Sequence, residues 1–263
     1  GGNELTGLAE DKLAFLTGAG SGIGRAAAQL FATEGARMVI TTDIDRSAAE
    51  ETARLIVDAG GVAEAAELDV ADRSAVHATV AQVLEAHSSI ECAVNCAGVR
   101  GPMGLISAYD ADAWRQVMEV NLDGVFFCMQ AEIEAMLMSG GGAIVNIASG
   151  AVLEPHATLS AYGASKAGVE HLTRTAAVEY AGAGIRVNGV LPGRTRTAML
   201  DDYYRLTPGA EERALADAPM GRLGSPSETA EVIVWLCSDR ASYVAGTTML
   251  VDGAFHAGRP SSG

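Results

Sequence analysis

The sequence predicts an α/β fold: a doubly wound, mostly parallel sheet of about seven strands with helices on both faces, in a single domain covering residues 1–263. Three observations predict it. Short apolar runs alternate with longer amphipathic segments along nearly the whole chain, as strands joined by crossover helices do. The first apolar run passes through a glycine-rich turn straight into a helical segment. And 263 residues, 49% of them hydrophobic, suffice for one large core, with no stretch of linker composition.

The elements follow in order. Strands are predicted at Leu13–Thr17, Met38–Thr42, Val62–Leu68, Ile90–Asn95, Ala143–Ser149, Arg186–Leu191 and Thr248–Val251, each a short apolar or β-branched run. Helical periodicity falls between them, over about 22–34, 46–59, 72–87, 110–138, 160–181 and 226–238. Ser47-x-x-Glu50 has the form of a capping box at the second helix. Residues 193–219 break the alternation: they are polar, carry Arg194, Arg196, Tyr203, Tyr204 and Arg205, and contain Pro208-Gly209. A connection this long in a compact domain usually serves function, so it is read as a substrate lid with one or two short helices.

Composition excludes several roles. The formal net charge of −15 repels phosphate backbones and anionic lipid, which disfavours nucleic-acid and membrane-surface binding. No apolar run reaches the roughly 18–20 residues of a membrane span, and no basic-then-apolar leader opens the chain. Cys92, Cys96, Cys128 and Cys237 lack metal spacing. Cys92 and Cys96 fall in one predicted strand, about 13 Å apart, too far for a disulfide. Buried, reduced thiols in a cytoplasmic protein are expected. The histidines show no ligand spacing; His77, His87, His171 and His256 read as surface or packing residues, and no metal is expected.

The turn Thr17-Gly18-Ala19-Gly20-Ser21-Gly22-Ile23-Gly24 lies between strand and helix. There, backbone N–H groups and the helix N-terminus can meet a pyrophosphate. The spacing is Gly18-x-x-x-Gly22-x-Gly24, not G-x-G-x-x-G; alone it could be a tight turn, and its position favours a phosphate site. Asp43 ends the second strand nineteen residues after Gly24, where a carboxylate can accept hydrogen bonds from an adenosine ribose. A 2′-phosphate at ~4 Å from it would cost about 4 kcal/mol per unit of charge at an effective dielectric of 20. Ser21 and Ile44 offer no compensating base, and Arg46 is the nearest one. NAD is therefore expected over NADP.

Tyr162 and Lys166 are four apart in a helical segment, on one face. A phenol near an ammonium is a candidate proton donor and acceptor. Ser149 lies thirteen residues upstream, beyond an apolar strand. Each residue alone has an ordinary structural reading; together, in register with the glycine turn, they point to catalysis.

With these motifs the chain resembles the short-chain dehydrogenase/reductase family in its shorter, one-domain form, over about Leu13 to Gly253. Further matches are Leu68-Asp69-Val70, Asn95-Cys96-Ala97-Gly98, Asn121, Ile185-Arg186-Val187-Asn188 leading to Pro192-Gly193, and Asp252-Gly253. The resemblance implies a Rossmann-type sheet and a nicotinamide cofactor. It implies that Gly18, Ser21, Gly22, Ile23 and Gly24 cradle the phosphates, with Asp43 and Ile44 at the ribose. Asp69 and Val70 would meet the adenine, and Asn95, Ala97 and Gly98 would flank the adenosine ribose. Pro192 and Gly193 would shape the nicotinamide pocket, with Thr195 and Thr197 on the carboxamide. Asn121 would distort its helix and hold a relay water. Tyr162 would transfer the substrate proton, Ser149 would orient the substrate oxygen, and Lys166 would bond the nicotinamide ribose. The chain departs from the family at Cys96, where a second asparagine is usual, at Ala148, where serine is common, and at Arg194 and Arg196, where apolar residues are more frequent.

A tyrosine titrates near 10. Work near neutral pH needs about 3–4 kcal/mol, and one positive charge at ~4 Å supplies about 4 kcal/mol. Lys166 and an oxidised nicotinamide are the expected charges. Met199, Leu200, Tyr203, Tyr204 and Leu206 on the lid, with Val152 and Leu159 on the wall, favour an apolar or cyclic secondary alcohol; His156 lies near the substrate mouth. An NAD-linked 3-oxoacyl thioester reductase is the alternative, with Arg194 or Arg196 meeting a carrier phosphate. A non-catalytic NAD-binding sensor or scaffold is the alternative of another class. An epimerase would need a substrate domain, and an enoyl reductase a longer tyrosine–lysine spacing. The resemblance also implies a homotetramer or homodimer formed through helices 110–138 and 160–181. The tail after Gly253 reads as either frayed or reaching a neighbour.

Overall fold

The structure, a computed structural model, describes residues 7–258. Its sheet consists of β1 (Leu13–Thr17), β2 (Met38–Asp43), β3 (Ala63–Glu67), β4 (Cys92–Asn95), β5 (Gly142–Ile147), β6 (Ile185–Pro192) and β7 (Thr248–Val251). All pairs are parallel, in the order β3-β2-β1-β4-β5-β6-β7. The order reverses between β1 and β4, and the crevice at that switch point, outside the carboxyl ends of the strands, is where such sheets bind ligands.

The helices are α1 (Gly22–Thr33), α2 (Arg46–Asp58), α3 (Arg73–His87), α4 (Ala111–Met118), α5 (Gly124–Ser139), α6 (Ser160–Tyr180), α7 (Ala198–Leu206), α8 (Ala210–Ala216) and α9 (Pro226–Cys237). Two apolar layers cover the sheet. One joins Phe15, Ile90 and Ile144 to Val80 of α3, Met136 of α5 and Val169 of α6. The other joins Leu16, Val94 and Val145 to Phe31 of α1, Ile56 of α2 and Ile233 of α9. The central strands are therefore apolar on both faces, as a parallel sheet between two helix layers requires. Each fully buried Phe or Leu side chain contributes about 1.5–3 kcal/mol.

The strands match expectation within one residue at each end, except that β4 starts two residues late and β5 ends two early. Two local readings need correction. Asp45, not Ser47, caps α2: its Oδ1 accepts from the Ser47 and Ala48 amides at 2.9 and 3.2 Å, and Glu50 pairs with Arg46 instead. An aspartate immediately before the helix meets the free first-turn amides more directly than a serine inside it. The predicted helix 110–138 is broken: Glu119–Asp123 form a π-helical turn between α4 and α5. Of the tail, Ala254–Ala257 form a turn beside Asp252; residues 259–263, on which the reading of a frayed or neighbour-reaching end mainly rested, lie outside the described residues. Among the described residues no helix is long and apolar enough to cross a membrane.

Candidate active site

A cavity of about 680 Å³ opens at the switch point. At one end is the turn between β1 and α1. Gly18 has φ +61°, and a Cβ there would fall 2.7 Å from the Ala97 backbone. Gly24 packs against the Gly18 carbonyl with no room for a side chain. Glycine is thus dictated by sterics at both positions. Asp43 braces the turn: Oδ2 accepts from Gly20 N at 2.9 Å and Oδ1 from Asp45 N at 3.0 Å. Arg46 is occupied by Glu50 at 2.8 Å. Gly18, Ser21, Gly22, Ile23, Asp43, Ile44, Asp69, Val70, Ala97, Gly98, Pro192, Gly193, Thr195 and Thr197 all line the cavity. The N-terminus of α1, a carboxylate at the end of β2 and a narrow glycine cradle fit a dinucleotide.

Two residues expected at the cofactor do not face it. Gly24 serves the packing of the turn. Asn95 is 1% exposed and turns into the core, donating to Asn146 Oδ1 at 2.9 Å and Glu132 Oε2 at 3.0 Å. The register sets this, because Asn95 of β4 stands opposite Asn146 of β5 and their side chains share a face. Glu132 is fully buried, and burial pushes its carboxyl up to about 8, against the lowering effect of the Asn95 bond.

At the other end, Ser149, Tyr162 and Lys166 converge on the wall. Ser149 follows β5 in extended conformation, and its hydroxyl accepts from Ala151 N at 3.1 Å. The Ser149 hydroxyl stands close enough to Tyr162 to favour its ionised form. Lys166, one turn along α6, is 4% exposed and donates from Nζ to Ile147 O at 2.7 Å. Burial pushes Lys166 down to about 8, with Cys96 acting the other way. Tyr162 is raised above its ordinary range, by burial first and by Cys96 last, with the Ser149 hydroxyl opposing. The expected lowering of the phenol by Lys166 is therefore not what the chain produces on its own. Burial favours the neutral form of both groups.

Asn121 sits in the π-helical turn, fully buried. Its Oδ1 accepts from Val99 N at 2.7 Å, and its Nδ2 donates to Val99 O at 2.8 Å and to Ser165 Oγ at 3.1 Å. This ties the loop after β4 to α6. A Cβ on Gly98 would lie 3.2 Å from Asn121 Oδ1 and 3.3 Å from Lys166 Nζ, so the bare glycine lets that loop approach both.

Cys96 lies just past β4 and is half-buried on the cavity wall, not buried as expected. Its thiol is pushed up to about 11, by burial above all, against the field of Lys166. All four cysteines are free.

Of the substrate candidates, His156, Leu159, Met199 and Tyr203 line the cavity. Val152 does not: it packs against the core. Leu206 is also turned out, 57% exposed at the end of α7. Sequence reasoning missed Val99, Arg100, Gln116, Val120, Phe255 and His256, all on the wall. His256 is not a surface histidine. Its Nδ1 lies 2.8 Å from Asp252 Oδ2, and its ring rests against Gly150, where a Cβ would fall 2.7 Å from Cε1. The pattern Asp252-x-x-x-His256 was a signal that could have found it. Among the described residues no three His, Cys, Asp or Glu side chains gather to hold a metal ion.

Comparison with known proteins agrees with this geometry. A family model described as enoyl-(acyl carrier protein) reductase matches residues 18–256. The cyclohexanol dehydrogenase of Acinetobacter sp. (strain SE19) is 40% identical over 93% of this chain and 95% of that protein. The cis-4-hydroxycyclohexanecarboxylate dehydrogenase of Sinomonas cyclohexanicum is 40% identical over 94% of this chain and 97% of that protein. A solved 7α-hydroxysteroid dehydrogenase, complexed with NADH and 7-oxo glycochenodeoxycholic acid, superposes with a TM-score of 0.88 at 33% identity, over 93% of this chain and 94% of that one. With its seven-stranded parallel sheet, glycine turn and Ser–Tyr–Lys wall, the chain belongs to the short-chain dehydrogenase/reductase family, the oxidoreductases that act on CH–OH groups with a nicotinamide cofactor.

Proposed function

We propose that the chain interconverts a secondary alcohol on an apolar, cyclic skeleton and its ketone, with NAD as cofactor and Tyr162, Ser149, Lys166 and Asn121 as the catalytic set. The observation that carries this reading is that Ser149, Tyr162 and Lys166 share one wall of the cavity, with Lys166 one helical turn along α6 from Tyr162. When bound, the dinucleotide supplies the hydride acceptor or donor and, oxidised, a positive charge near the phenol. Tyr162 takes the hydroxyl proton in oxidation and returns it in reduction. Ser149 orients the substrate oxygen. Lys166 holds the ribose, and Asn121 keeps the π-helical turn open for a relay water.

Asp43 supports NAD over NADP, since the nearest base on its loop, Arg46, is held by Glu50. Leu159, Met199, Leu200 and Phe255 supply an apolar lining, and two relatives act on ring alcohols by name, one neutral and one bearing a carboxylate. The 3-oxoacyl alternative asks Arg194 or Arg196 to meet a carrier phosphate at the surface. Arg194 instead stacks on Phe255, and Arg196 pairs with Asp201 and Glu211. Residues 193–219, carrying α7 and α8, serve as the substrate lid. A cytoplasmic homotetramer is the expected form, built through α5 and α6, which expose Met138 and Val178.

The test is Tyr162→Phe, followed by NADH absorbance with cyclohexanol and NAD. Turnover should fall by about 10²–10⁴, while NAD binding stays within a few-fold. Near-normal kcat would refute the assignment, and NAD binding without turnover of any secondary alcohol by the wild type would favour the sensor.

A further inference from the structure

Among the described residues, six buried side-chain polar atoms lack a hydrogen-bond partner. Two, Asn95 Oδ1 and Glu132 Oε1, belong to the core network beneath β4. The other four, Arg100 Nη1, Arg194 Nη1, Tyr204 Oη and His256 Nε2, belong to residues that line the substrate end of the cavity. Buried polar groups are normally satisfied. Three donors and one imidazole nitrogen, the acceptor of a ring whose Nδ1 donates to Asp252, are left open in one place and describe the chemistry of what fills it.

Charge narrows the description. The chain has 33 acidic and 18 basic residues, so carboxylates are plentiful. Arg196, two residues from Arg194, pairs with Asp201 at 3.1 Å and Glu211 at 2.6 Å. Neither Arg194 nor Arg100 has such a partner among the described residues. Arg194 lies 4.0 Å over the Phe255 ring, and Arg100 6.0 Å from the centre of the Tyr203 ring. Aromatic faces hold these guanidiniums in place without consuming their N–H donors. The carboxylates at this end are Glu154, beside His156, Glu211, already committed to Arg196, and Asp217, on the cavity wall with Arg213. Asp252 is committed to His256. Arg194 is also near enough to help lower His156 and to oppose the burial that raises Tyr204.

Resting on the alcohol-dehydrogenase reading above, we infer that the substrate carries a carboxylate on the side of its skeleton remote from the carbinol, held by Arg194 with Tyr204 as a second donor inside the cavity. Arg100 adds a second positive charge at the Tyr203 side. His256, fixed by Asp252 and pressed on Gly150 beside Ser149, presents Nε2 to the skeleton between the two ends. Nη1 is buried and open, which suits an anion that enters with the substrate. A guanidinium facing a carboxylate makes charge-assisted, potentially bidentate bonds, which lysine or a neutral donor cannot match.

The experiment compares kcat/KM for cis-4-hydroxycyclohexanecarboxylate and for its methyl ester, with NAD, in the wild type, Arg194→Met and Arg194→Lys. Methionine keeps an apolar stem against Phe255. The wild type should prefer the acid by about 10- to 100-fold. The preference should collapse towards unity in Arg194→Met and recover in part in Arg194→Lys. A wild type that oxidises the ester as well as the acid overturns the inference while leaving the dehydrogenase reading intact. So does a preference that survives Arg194→Met while NAD affinity falls, because Arg194 then serves the cofactor phosphates. A second measurement needs no turnover: titration of the NADH complex with cyclohexanecarboxylate, followed by NADH fluorescence. Saturable binding that is lost in Arg194→Met upholds the carboxylate site even if no alcohol is oxidised, and absence of binding in the wild type overturns it.

Discussion

Glu132 offers the sharpest thermodynamic test of how the core beneath the site is built. It is fully buried on α5; its Oε2 accepts from Asn95 Nδ2 at 3.0 Å, and its Oε1 has no partner. Burial raises the carboxyl from an ordinary 4.5 to about 8. The native state therefore keeps a proton that the unfolded chain releases above 4.5. A group raised in this way stabilises the fold fully below 4.5, and its contribution is lost as pH rises to about 8. At about 1.4 kcal/mol for each pH unit, the loss amounts to about 5 kcal/mol, a large share of the stability of a typical domain. Glu132→Gln has the same shape, keeps an acceptor for Asn95 and does not titrate. Urea unfolding followed by tryptophan fluorescence, at equal protein concentration, should show the variant gaining on the wild type from pH 5 to pH 8.5 by several kcal/mol, then levelling off. A difference between the two proteins that does not change with pH would refute the reasoning.

Two further outcomes follow from the site. Asp43→Asn should narrow the preference for NAD over NADP by up to about a thousandfold, since like charge at ~4 Å is worth about 4 kcal/mol; the ratio of dissociation constants, measured by fluorescence titration, checks it, and an unchanged ratio means Asp43 does not read the ribose. Because burial raises Tyr162 above its ordinary range, its basic form is scarce at neutral pH. kcat/KM for alcohol oxidation should therefore climb as pH rises from 6 to 9, while ketone reduction, which needs the protonated phenol, should not. A flat oxidation profile would exclude Tyr162 as the titrating base.

Much of the site could be read from local pattern. Thr17–Gly24 is a turn between an apolar strand and a helix, and its glycines answer to sterics within a few residues and one neighbouring loop. Tyr162 and Lys166 share a helix face by periodicity alone. Asn95 was misplaced for an equally local reason: a motif gives a residue's position, while the face it presents depends on strand register, here the pairing with Asn146. Ser47 was misread because Asp45, two residues earlier, competes for the same amides and wins.

The sequence by itself determined the parallel sheet, the order of its elements, the glycine cradle and the Ser149–Tyr162–Lys166 constellation. Each is written in short-range periodicity, turn chemistry or fixed spacing. Only the tertiary structure decided how those groups titrate, because burial, which raises Tyr162 and lowers Lys166, is a property of everything packed around them. It alone decided that Arg100, Arg194, Tyr204 and His256 meet at one end of one cavity. These four come from the loop after β4, the segment after β6, helix α7 and the turn after β7. No spacing in the chain links them; the parallel sheet does, by delivering the carboxyl ends of its strands to the same edge.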